Sequence, residues 1–194
     1  MRFTDSVAVT VHWIPLGAGG RVVARSGRLY ELLYARRHRC PRRQLVHAAL
    51  TVDHDGERWV VEQAPAWGNG PGDRGVVVNG PVGLRSLGRS ALFRYEVRCW
   101  RSGVIDDLGS ALADHVVAVA DDVAALIVAA VADVPALTWG RRPPGTAEMW
   151  NSNSVAAWLL VTAGILAADD TDVPGLPAHC RAPGWGSGLD VARR

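Results

Sequence analysis

From Val155 to Val161 every residue is apolar, and the four residues before that run are Asn151-Ser152-Asn153-Ser154. A helix that is hydrophobic all round has no face to offer water, so it belongs at the centre of a domain. Gly164 supplies a left-handed stop after Ala163. The rest of the chain must therefore wrap this segment. With 194 residues, 48% of them hydrophobic, it is long enough to do so without disulfide or metal staples. Residues 1–168 read as one domain and 169–194, rich in Gly and Pro, as an irregular tail packed on it.

The other elements follow from periodicity and breakers. Ser6–Ile14 is rich in β-branched residues and reads as a strand ending at Pro15 and the Gly17-Ala18-Gly19-Gly20 turn. Arg28–Arg39 has helical spacing with Leu29, Leu32 and Leu33 on one face, and its cationic end suits the negative pole of the helix. Val46–Asp53 and Arg58–Gln63 flank Asp55-Gly56, a strong two-residue hairpin signal. A Gly/Pro-rich loop over 64–75 precedes short strands at Val76–Asn79 and Ala91–Trp100, and Asp121–Val134 reads as a second helix. Local hairpins without regular βαβ alternation predict an α+β fold, its sheet mainly antiparallel and packed against the buried helix of the C-terminal half.

Composition excludes several chemistries. All 21 basic residues are Arg, so neither a Schiff-base lysine nor a P-loop lysine is present. A net charge of +2 and a pI near 8.6 argue against a dedicated nucleic-acid binder. Cys40, Cys99 and Cys180 lack Cys-x-x-Cys spacing, and His12, His54, His115 and His179 lack ligand spacing, so no metal or cofactor is expected. Free thiols, no signal-peptide pattern and no apolar run long enough to span a bilayer give the expectation of a cytoplasmic protein without a membrane partner.

The polar start of the buried helix carries the chemistry. Four small polar residues there deliver hydroxyls and unpaired backbone N–H groups to one spot, which suits an anion or a developing oxyanion. Capping accounts for one or two of the four in the plainer reading. His47 is the second piece. Counting back from the Asp55-Gly56 turn places His54 opposite Glu57, Val52 opposite Trp59, Ala49 opposite Glu62 and His47 opposite Ala64. Glu62 is then diagonal to His47 on the same face, within reach to orient the imidazole and stabilise its protonated form.

His47-Ala-Ala-Leu-Thr-Val followed much later by Asn151-Ser-Asn-Ser-Val resembles the circularly permuted papain-fold families, the PPPDE peptidases and the lecithin-retinol-acyltransferase-like proteins. In those families a strand His precedes an Asn-Cys helix start. The resemblance implies a papain-like fold, His47 as base, Ser152 at the nucleophile position and Asn151 and Asn153 as its flanking asparagines. This sequence departs from the pattern in having Ser where those families have Cys. A serine is not pre-ionised as a thiol can be and needs concerted proton removal. The implied activity is hydrolysis or acyl transfer on an amide, ester or thioester, with Ser152, His47 and Glu62 catalytic. The alternative is a pseudoenzyme whose cleft holds a peptide or acyl ligand.

Asn151, Asn153 and Trp150, beside or within the polar turn, are expected to contact that ligand, and Trp67, Trp139 and Trp185 also lie in or beside loops where they can line a groove. Trp59 and Trp158 fall in apolar patterns and read as core. The run Arg36-Arg37-His38-Arg39-Cys40-Pro41-Arg42-Arg43 reads as solvated charge at a helix end, or as a surface for an acidic partner. Gly184-Trp185-Gly186-Ser187-Gly188 has its serine offset from a nucleophile elbow.

Overall fold

A computed structural model describes residues 6–17, 21–66 and 75–194, with the backbone alone over 21–28. Its elements are β1 (Ser6–Pro15), α1 (Arg21–His38), β2 (Gln44–His54), β3 (Glu57–Pro65), β4 (Val76–Pro81), β5 (Arg94–Arg101), β6 (Ala113–Ala120), α2 (Asp121–Ala130), α3 (Ser152–Thr162), β7 (Cys180–Arg181) and α4 (Trp185–Ala192). The fold is α+β. Six antiparallel strands run in the order β4-β5-β3-β2-β1-β6, and β7 joins β2 in parallel.

Strand alternation gives the sheet two different faces. Val9, Val11 and Trp13 of β1, Val46, Ala48, Leu50 and Val52 of β2, and Tyr95 and Val97 of β5 point to one side. There they bury Val155, Ala156, Leu159 and Leu160 of α3 together with Ala124 and Ile127 of α2. The all-apolar helix is thus central, as its sequence demands. The opposite face carries a smaller cluster of Ile14, Ala49, Val60 and Ile105. α4 crosses α3 closely at Gly188, where a Cβ would stand 2.2 Å from the Ser154 carbonyl oxygen.

Several expectations change. The register counted from the hairpin turn is present from His54↔Glu57 to Leu50↔Val61, but pairing stops there, so Ala49–Glu62 and His47–Ala64 are not formed. The start of β2 is taken instead by β7, through Gln44↔Cys180 and Leu45↔Arg181. No strand among the described residues pairs with 46–49 on that side, which opens a gap in the sheet. Local turn counting cannot anticipate a partner strand from the far end of the chain. The tail expected to be irregular holds β7 and α4. β6, unassigned from sequence, is an edge strand whose side chains alternate between partly buried and exposed over most of its length. Among the described side chains of α1, Glu31 and Ala35 are buried, while Leu29 and Leu33 are exposed. Glu31 turns inward because it accepts hydrogen bonds from the Arg43 backbone N–H at 2.8 Å and from Arg181 at 3.1 Å. The 18–20 part of the expected Gly turn and Trp67 lie outside the described residues.

Candidate functional site

The Asn-Ser-Asn-Ser turn divides sharply between joinery and one unclaimed hydroxyl. The Asn151 side chain caps α3, accepting from the backbone N–H of Asn153 at 3.0 Å and Ser154 at 3.3 Å, and its amide donates to the Pro183 carbonyl at 2.8 Å. Ser154 Oγ accepts from the Asn151 N–H at 3.0 Å and donates to the Gly184 carbonyl at 2.7 Å, which completes a capping box. Asn153 Nδ2 donates to the Pro183 carbonyl at 2.9 Å and to the Val46 carbonyl at 3.0 Å. That last bond lands inside the β2 gap, on the residue before His47. Glu148 Oε2 finishes the junction by accepting the Gly184 and Gly186 N–H groups at 2.8 and 3.2 Å.

Ser152 is the exception. It is only 6% exposed, and its hydroxyl has no hydrogen-bond partner among the described residues. It lines a cavity of about 10 Å³ with Ala48, Ala49, Glu62 and Gln63. That is about the space of one water molecule. Both polar atoms of the Gln63 amide are buried there without partners among the described residues.

His47 lies in the gap with its side chain in the row of Ala49 and Thr51, not in the Val46–Ala48 row that packs α3. Its Nε2 meets Asp107 Oδ2 at 3.1 Å, and both side chains are mostly shielded from solvent. Burial alone would raise the Asp107 carboxyl, but the hydrogen bond and charge of His47 outweigh it and hold the group below its ordinary value. No hydrogen bond joins His47 to Ser152.

Three sequence assignments are corrected. Glu62 does not orient His47. It sits directly opposite Arg98 on β5 and accepts from its guanidinium at 2.8 Å, while the same Arg98 donates to Glu96 at 2.9 and 3.1 Å. Burial raises the Glu62 carboxyl; Arg98 opposes this, and Asp107 and Asp106 reinforce it. The carboxylate that orients His47 is Asp107, from the β5–β6 connection, a position that no local pattern marks. Trp150, expected to touch a ligand, is wholly enclosed, and Trp185 is buried against Trp13 with ring centroids 5.3 Å apart. Both belong to the main core cluster, Trp150 just before α3 and Trp185 as the first residue of α4.

A second imidazole array went unread in the sequence. His12 Nδ1 meets Asp114 at 2.7 Å and its Nε2 meets Thr51 Oγ1 at 3.0 Å, linking β6, β1 and β2. His12 lies directly opposite Asp114 in the β1–β6 pairing and beside β2, so the array braces three adjacent strands of the sheet. His54 similarly ties the hairpin to the start of α2 through Asp121 at 3.0 Å. Arg36, Arg37, Arg42 and Arg43 all face solvent. Among the described residues no cluster of three or more His, Cys, Asp or Glu is arranged to hold a metal, and no helix is long and apolar enough to cross a membrane. The chain matches no family model, no curated protein and no solved structure.

Proposed function

We propose that the chain is a papain-like-superfamily protein of permuted type that carries out acyl transfer or hydrolysis with Ser152 as nucleophile and His47 as base. The observation that carries this reading is the Asn153 amide bond to the Val46 carbonyl, which seats the serine-bearing helix start on the strand beside His47. Asp107 occupies Nε2 of His47, so the base in this reading is Nδ1, which must turn through the 46–49 stretch that β3 leaves unpaired toward Ser152 to take its proton as Oγ attacks an acyl carbonyl. The proton then passes to the leaving amine, alcohol or thiol, and water or an acceptor nucleophile resolves the acyl-serine. Asn151 already consumes the N–H groups of Asn153 and Ser154. The donors left for the oxyanion are the Ser152 N–H and the unpartnered Gln63 amide. Nucleophile–base hydrogen bonds of this kind are often loose without substrate and tighten when it binds.

The test is labelling of the folded protein by a fluorophosphonate. The reading requires modification at Ser152 that is lost in Ser152→Ala and His47→Ala and slowed in Asp107→Asn. A folded chain that takes up no label points to the second reading, a pseudoenzyme that binds a peptide or acyl group without turnover. The tight enclosure of Ser152 beside a cavity of about 10 Å³ favours that alternative.

A further inference from the structure

A second cavity lies away from α3. It measures about 470 Å³ and opens between the end of β4, the single-turn 3₁₀ segment Arg85–Arg89, the start of β5 and residues 136–138. This is within the size range of small-molecule sites. Among the described residues three arginines line it, Arg85, Arg89 and Arg94, and no carboxylate does. None of the three forms an ion pair with a described residue. Arg94 Nε is shut off from solvent and has no hydrogen-bond partner among the described residues. Leaving a buried guanidinium donor unmade is costly, and a ligand oxygen removes that cost.

The walls are held by bonds that do not involve these arginines. Tyr95 Oη donates to the Leu137 carbonyl at 2.7 Å, and Gly80 lies against the Tyr95 ring so closely that a Cβ would stand 2.2 Å from it. Trp139 N–H donates to the Pro81 carbonyl at 2.9 Å, and Gly83 N–H donates to the Trp139 carbonyl at 2.9 Å. The cleft is therefore a built concavity, with Asn79 and Thr138 as further polar lining. Along the same segment Leu84, Leu87, Leu92 and Phe93 are exposed, which puts apolar surface beside the cationic opening.

We propose that this cleft binds a phosphate-bearing ligand, with Arg94 as the inner contact and Arg85 and Arg89 closing on the outer oxygens. Guanidinium groups match phosphate oxygens in planar, two-pronged geometry and stay charged at any physiological pH. The phosphate belongs either to a soluble phosphorylated compound or to a lipid headgroup whose chain lies along the apolar rim. The site is independent of Ser152.

Titration calorimetry at low salt with inorganic pyrophosphate tests the soluble source, and co-sedimentation with phosphatidylcholine vesicles, with and without phosphatidic acid, tests the lipid source. Saturable binding in either arm is expected to weaken at least about tenfold in Arg94→Gln, the loss of one charge-assisted contact. The Arg85→Gln/Arg89→Gln double variant, on an exposed turn that the core does not need, is expected to weaken it likewise. The Arg36→Gln/Arg37→Gln variant on α1 is expected to leave binding unchanged. Absence of saturable binding in both arms overturns the assignment, as does equal weakening by the α1 variant.

Discussion

At the scale of single residues, neighbouring polar side chains of one turn do different work. Asn153 is buried and spans three elements through two amide hydrogen bonds, to Val46 and to Pro183. Asn153→Ala takes this donor from the Val46 carbonyl and leaves the Pro183 carbonyl with the Asn151 amide alone, and it is expected to cost on the order of 2 kcal/mol in urea unfolding. Ser152→Ala removes a hydroxyl that bonds to nothing described, so its stability change is expected to stay within about 0.5 kcal/mol. A large loss in Ser152→Ala would show that the hydroxyl is structural. The cysteines separate by burial in the same way. Burial pushes the Cys99 thiol up to about 11 and raises that of the fully buried Cys180, whereas Cys40 is partly exposed beside Arg181. Mass spectrometry after brief iodoacetamide treatment at neutral pH is expected to find Cys40 alkylated first, since the thiolate is the reacting form.

At the scale of elements, the gap in β2 is the decisive feature. β3 leaves β2 after Leu50↔Val61 and continues along β5, and β7 captures the first two residues of β2. Between them, His47 and the Val46 carbonyl are left accessible to Asp107 and to the start of α3. The two carboxylates at this opening give opposite pH dependences. Asp107 titrates below its unfolded value, so its contribution is present above that value, about 3.9, and is lost as pH falls through the lower folded value. Glu62 titrates above its unfolded value, so the folded state holds the proton more tightly and stability declines as pH rises through that window. Melting temperature followed against pH is therefore expected to lose part of its acid limb in Asp107→Asn. In Glu62→Gln the decline above the ordinary carboxylate range is expected to shrink. An unchanged acid limb in Asp107→Asn would show that the His47 pair adds nothing to folding.

At the scale of the whole molecule, the last residues complete the core. Cys180, Ala182, Trp185 and Leu189 belong to the same buried cluster as β1, β2 and α3, and Pro183 and Gly184 accept the side-chain bonds of the α3 start. A chain ending at residue 168 exposes the flank of an all-apolar helix and unties its polar turn. It is expected to bind a hydrophobic dye and to lose its cooperative thermal transition. A sharp transition in that truncated chain would mean that 1–168 folds without the segment that caps it.

The amino-acid sequence by itself determined whatever depends on near neighbours. Composition along 155–161 required a central helix, alternation and the Asp55-Gly56 turn set five successive β2–β3 pairs, and Asn151 marked the helix start. Those outcomes rest on local sterics, local hydrogen bonds and the cost of exposing apolar surface. Tertiary structure alone decided that the β2–β3 ladder ends at Leu50 while β7 takes the first residues of β2, that Asp107 rather than Glu62 meets His47, and that Trp150 and Trp185 turn inward. Each of these depends on segments tens of residues apart competing for the same carbonyl, carboxylate or hydrophobic volume, and no spacing within one segment records who wins.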